Sequence, residues 1–130
     1  MSLECAQISW HSPGVLLVEF AEGATIEQAE ARSVVARGKQ VVEDRPHTIL
    51  IDARKLRYVS SEARNHFAAQ SSAQLLGTAL VISSQLQAGL ANLYLNVSRP
   101  VVPTRVFTEE VTALAFLRER LTVGRKSLAP

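Results

Sequence analysis

An α/β domain built on a mostly parallel sheet is predicted by three observations. Short apolar runs rich in β-branched residues alternate four times with helical stretches, after an opening hairpin. The loops between them are short. The 130 residues are 47 % apolar and 20 % charged, a globular composition that supports one core and one domain over residues 1–130.

Residues 6–10 alternate loosely and read as a strand. Residues 11–14 form a turn, because Pro13 sets φ and Gly14 permits positive φ. The apolar run 15–20 is the next strand, so the chain opens with a hairpin that supplies an antiparallel edge. Thr25 reads as an N-cap, and Gln28 completes a capping box. The helix that follows runs to about Glu43, with Ala31, Val34, Val35, Gly38, Val41 and Val42 on one face. Gly38 there costs about 1 kcal/mol of helix propensity, and close packing on the sheet is the expected reason.

Residues 44–47 break that helix, and 47–53 form the second buried strand, with Asp52 near its end. A basic loop, 54–57, leads through Tyr58 and Val59 to Ser60, which caps the next helix. That helix is expected to reach about Leu76, with Ala63, Phe67, Ser71 and Leu75 as its inner stripe and Gly77 as its C-cap. Residues 78–83 are the third strand. Ser84 and Gln87 make a second capping box, before a helix over 85–97 that is apolar on more than one side. Pro100 and Pro103 forbid a central strand, so 104–107 is a short edge strand. Thr108 caps the last helix, with Val111, Leu114, Leu117 and Leu121 turned inward. The core spans about 6–122, and 123–130 form a frayed tail.

Charge and cysteine content narrow the function classes. The net charge of +2 is too small for strong nucleic-acid binding, and the basic residues are spread along the chain. The single cysteine, Cys5, excludes an internal disulfide. With no signal-peptide pattern at the start, it points to the cytoplasm. No apolar run is long enough for a membrane span. His11, His47 and His66 lack metal-ligand spacing, and neither a metal nor a cofactor is expected.

In an open α/β sheet, ligands meet the loops at the carboxyl ends of the strands. The richest of those loops here is 52–61. Ser60 and Ser61 stand where helix N–H groups are unpaired, a place that favours a phosphate, and Arg54, Lys55, Arg57 and Arg64 lie nearby in sequence. Either a serine is phosphorylated, or the loop binds an external anion, or Ser60 is a plain cap beside solvated cations. Asp52 is a candidate base or ligand with no second carboxylate at useful spacing. A Ser61–His66–Asp52 triad can be drawn, but no G-x-S-x-G elbow accompanies it.

The same stretch resembles the STAS domains, the anti-sigma factor antagonist (SpoIIAA-like) family. Their motif reads Asp-Leu-Ser, about five residues, then Asp-Ser-Ser-Gly at a helix start. Asp52 matches the first aspartate, and Ser61 falls at the family's phosphorylatable serine. Arg54, Ser60 and Ala63 stand where the family has serine, aspartate and glycine. The stretches 91–94 and 103–108 are outside the usual pattern and look more like a divergent, uncharacterised bacterial group. The resemblance implies a SpoIIAA-like fold and a non-enzymatic domain that binds a regulator, such as a serine kinase of the anti-sigma type or an anti-sigma factor.

Three functions follow as expectations. The first is a protein-interaction module with Ser61 as its switch and Asp52, Arg54, Arg57, Ser60, Ser61 and Arg64 as its surface. The second is a domain binding a small molecule, an anion or a lipid headgroup through Arg54, Arg57 and the amides at Ser60 and Ser61, with the apolar 86–97 helix walling a pocket. The third, an enzyme, rests on the drawn triad alone. The surplus apolar surface of the 86–97 helix also predicts a homodimer.

Overall fold

The alternation of side chains along each strand decides how the layers form. The computed structural model describes residues 3–128, with side chains as far as Gly124. In chain order the elements are β1 (Ala6–Ser12), β2 (Val15–Phe20), β3 (Thr25–Ile26), α1 (Gln28–Val42), β4 (His47–Asp52), β5 (Tyr58–Val59) and α2 (Ser61–Ala68). They continue with β6 (Leu75–Val81), α3 (Gln85–Leu93), a π-helical turn (Tyr94–Ser98), β7 (Thr104–Phe107) and α4 (Glu110–Leu128). The main sheet has the order β1-β2-β4-β6-β7. Only β1 is antiparallel to its neighbour, so the expected α/β architecture is the observed one.

Leu16, Val18 and Phe20 of β2 pack with Ala31 and Val34 of α1 and with Ala63 of α2. The residues in opposite phase, Val15 of β2 with Leu50, Ala79 and Val81, pack under Leu114, Leu117 and Leu121 of α4. Two helices and the α3 segment therefore cover one face, and α4 covers the other. Burial of a leucine such as Leu50 or Leu117 stabilises the fold by about 1.5–3 kcal/mol.

Several boundaries differ from expectation, each for a physical reason. α1 is capped by Glu27, whose N–H donates to Glu30 Oε1 at 2.9 Å, and not by a Thr25–Gln28 box. Thr25 and Ile26 are instead held extended by parallel pairing with Tyr58 and Val59. α2 stops at Ala68 and never reaches Leu76. Ser72 Oγ accepts from the N–H groups of Gln74 and Leu75, both at 3.2 Å, a local turn that competes with helix. Ser71 is thus an exposed loop residue, and Leu75 opens β6.

Gly77 is a strand residue and caps nothing. A Cβ there would lie 2.9 Å from Arg120 Cγ, and Arg120 Nε donates to Leu76 O at 3.0 Å. The glycine gives the arginine room to cross the strand. α3 ends at Leu93, and the widened turn that follows closes when Arg99 N–H donates to Tyr94 O at 2.9 Å.

α4 begins at Glu110, two residues past Thr108, so its buried stripe runs through Ala113 and leaves Val111 77 % exposed. The helix also continues through the expected tail. Gly124 is buried, because a Cβ there would meet Leu76 Cδ2 at 2.6 Å. Residues 129–130 of that tail lie outside the described residues. At Gly38 the expected tight packing is absent, since a Cβ would stand 3.7 Å from Leu16 Cδ2, an ordinary contact.

Candidate functional site

Asp52 closes β4 with a side chain only 11 % exposed. Arg54 grips it through both ends of its guanidinium: Nε donates to Oδ1 at 2.9 Å and an Nη to Oδ2 at 2.8 Å. The Arg54 backbone N–H adds a third bond to Oδ1 at 3.1 Å. The Arg54 hydrogen bond holds the Asp52 carboxyl below its ordinary range, against the upward push of burial. Glu110, at the start of α4, stands 3.8 Å from Arg54 and 3.8 Å from His11 of β1. The Arg54 charge is therefore already answered by two carboxylates, which weakens it as an anchor for an external anion.

The loop from Ala53 to Val59 is fastened on several sides. Gly23 N–H donates to Lys55 O, and Arg57 N–H to Ala24 O, each at 2.9 Å. β3 pairs with β5, and Ser60 N–H donates to Ile26 O at 2.9 Å. From α3, the buried Gln87 donates through Nε2 to Arg54 O at 2.7 Å and to Leu56 O at 3.2 Å. Gln87 Oε1 accepts from Ser83 N–H at 2.7 Å. The expected reciprocal box at this helix start is thus half formed. Ser84 Oγ accepts from Gln87 N–H at 3.2 Å, but the glutamine side chain reaches across to the site loop.

The two serines have different fates. Ser60 is buried, and its Oγ accepts from Ala63 N–H at 3.1 Å, the N-cap bond. Ser61 is exposed, and its Oγ donates to Glu62 Oε2 at 3.3 Å. Lys55 and Arg57 are exposed on the loop that precedes them. Arg64 turns the other way and donates to the Val59 carbonyl at 2.6 Å. Of the six residues singled out in sequence, Asp52 and Arg54 form one tight unit, Ser60 and Arg64 brace α2 and β5, and Ser61 and Arg57 face solvent.

The drawn triad is not assembled. Ser61 bonds Glu62 and Asp52 bonds Arg54, and no hydrogen bond joins either to His66 among the described residues. Nor do three or more His, Cys, Asp or Glu side chains gather as a metal site among the described residues. No described helix is long and apolar enough to cross a membrane.

Sequence reasoning missed Gln87 as the brace of the loop and β3–β5 as its second sheet. The available signals were a glutamine three residues after a cap, which reads equally as a box partner, and strands of two residues, too short for periodicity.

A parallel sheet with one antiparallel edge, and a serine-capped helix after its central strand, define an α/β protein with a SpoIIAA-like fold. A family model described as a domain of unknown function, DUF7793, matches residues 9–121, and the chain belongs to that family. Among solved structures, it is similar to an uncharacterised protein of the DUF3478 family, with a SpoIIAA-like fold, from Shewanella loihica PV-4. That likeness has 15 % identity over 90 % of this chain and 98 % of the other, with a TM-score of 0.58. It is also similar to an anti-sigma factor antagonist from Mycobacterium paratuberculosis, at 20 % identity over 87 % of this chain and 92 % of the other, TM-score 0.61. No curated protein matches the chain.

Proposed function

We propose that this chain is a non-enzymatic regulatory module of STAS type, a single cytoplasmic domain that docks a protein partner around the start of α2 and is switched by phosphorylation of Ser61. The observation that carries the reading is the contrast between the two serines: Ser60 is buried as the cap, and Ser61 is exposed on a braced helix start. The likeness in fold to an anti-sigma factor antagonist supports it. A phosphate on Ser61 gains from the helix dipole and the free amides of the first turn, and it repels the adjacent Glu62. The loop is fastened on several sides, so the added charge changes what docks on a nearly fixed surface.

Ser61→Asp and Ser61→Ala, expressed in the native cells and used as bait, test this. The expected result is that the alanine variant keeps the wild-type partner, a serine kinase or an anti-sigma factor, and the aspartate variant loses it. Equal capture by both ends the switch reading. The alternative, an anion site at Arg54 and Arg57, has less support because Arg54 is engaged by Asp52.

The reading extends to self-association. Leu86, Leu93 and Val97 are 58 %, 40 % and 70 % exposed, apolar surface along α3 and its π turn that a second copy would cover. Light scattering should report a dimer for the wild type and a monomer for Leu93→Lys with Val97→Lys. A wild-type monomer at every concentration refutes it.

A further inference from the structure

The early end of α2 leaves the sheet uncovered on the α1 side, over the starts of β4, β6 and β7. A cavity of about 240 Å³ occupies the gap. Its walls are apolar: Leu16, Val35, Ile49, Phe67 and Val102 among them. Gly38 lines it from α1, which accounts for a glycine in mid-helix where no close packing requires one. Exposed Lys39, Asp44, Ser71 and Ser72 form its rim, so it opens to the surface.

One polar side chain in its lining gives the cavity a specific chemistry. His47 is buried, and its Nδ1 lies 2.8 Å from the Arg45 carbonyl. A carbonyl only accepts, so Nδ1 carries the proton. Burial lowers the pKa of the ring and favours the neutral form, which leaves Nε2 with a free lone pair. This one acceptor, in a lining that is otherwise mostly apolar, is matched by a donor on the occupant.

We infer that this cavity is a binding site for a small, neutral, mostly apolar molecule that carries one hydroxyl or N–H donor. An apolar cavity of ~150 Å³ takes benzene, so this one has room for roughly ten heavy atoms. The site is separate from the Ser61 surface and does not rest on the proposed switch.

The test uses 2-phenylethanol and its donor-free isostere, propylbenzene, on the full chain. Amide shifts by NMR and the melting temperature are both recorded. The expected result is a saturable rise in melting temperature with 2-phenylethanol, and shifts centred on Val35, Gly38, Ile49 and Thr104. Propylbenzene should bind about tenfold more weakly, the loss expected for one hydrogen bond. Gly38→Leu fills the cavity from a helix position that favours leucine, and it should abolish the response while the free variant stays folded. If that variant does not fold, the NMR map on the wild type still decides. No saturable shift with either compound, shifts centred elsewhere, or an unchanged response in folded Gly38→Leu overturns the site. Equal binding of the two compounds overturns the donor requirement.

Discussion

Gln87 ties α3 to the loop that presents Ser61 through two hydrogen bonds from its buried amide, to the Arg54 and Leu56 carbonyls, while its Oε1 accepts from Ser83 N–H. Gln87→Leu leaves the Arg54 and Leu56 carbonyls and the Ser83 N–H without that partner. It should cost about 2–3 kcal/mol in urea unfolding. A loss below about 0.5 kcal/mol would show that water replaces the amide without penalty. Two titrating side chains add a pH dependence. Asp52 has a folded pKa below its ordinary 3.8, because Arg54 favours the carboxylate. Its stabilisation is therefore present above 3.8 and is lost as pH falls toward the folded value. Asp52→Asn should lower stability at pH 7 and flatten the acid limb of the stability curve. His47 also has a lowered folded pKa, but its cause is burial of the charged form. The unfolded chain takes up that proton first, so stability falls as pH drops below 6.5, and His47→Gln should remove that slope.

At the scale of elements, two glycines in helices predict opposite outcomes. Gly38→Ala adds a Cβ at ordinary contact distance, 3.7 Å from Leu16, and should stabilise α1 by about 1 kcal/mol in thermal or urea unfolding. Gly124→Ala places a Cβ 2.6 Å from Leu76 and should destabilise the packing of α4 on β6 by about 1–3 kcal/mol. If Gly124→Ala also stabilised the protein, propensity and not packing would govern α4. These glycines also mark what the sequence could tell. Strand positions were legible because β2 and β4 are short apolar runs between clear breakers and β7 follows two prolines. The end of α2 was not, since residues 69–76 suit a helix in periodicity and only the Ser72 turn, a hydrogen bond between neighbours, decides against it. In sequence Gly77 reads as a C-cap and Gly124 as part of a frayed tail. Their actual reasons, room for Arg120 and for Leu76, come from partners more than 40 residues away.

For the whole molecule, the alternation of strands and helices specified the architecture. The Asp52–Ser61 spacing marks the candidate site in the sequence itself. What spacing could not convey was the division of labour within that site. Ser60 is held against Ile26 of β3, and Arg54 is met by Gln87 of α3 and Glu110 of α4, while Arg64 turns toward Val59. The fold thus carries two separate candidate sites. One is a braced surface at the carboxyl ends of the strands, and the other is a cavity over their starts.

The central claim is that Ser61 is the switched residue, and the most direct measurement is the intact mass of the protein purified from its own cells, with peptide mapping across residues 52–64. The account predicts a phosphoryl group on the exposed Ser61 under at least one growth condition, and none on the buried Ser60. An unmodified chain under every condition, or a phosphate on Ser60 alone, would contradict it.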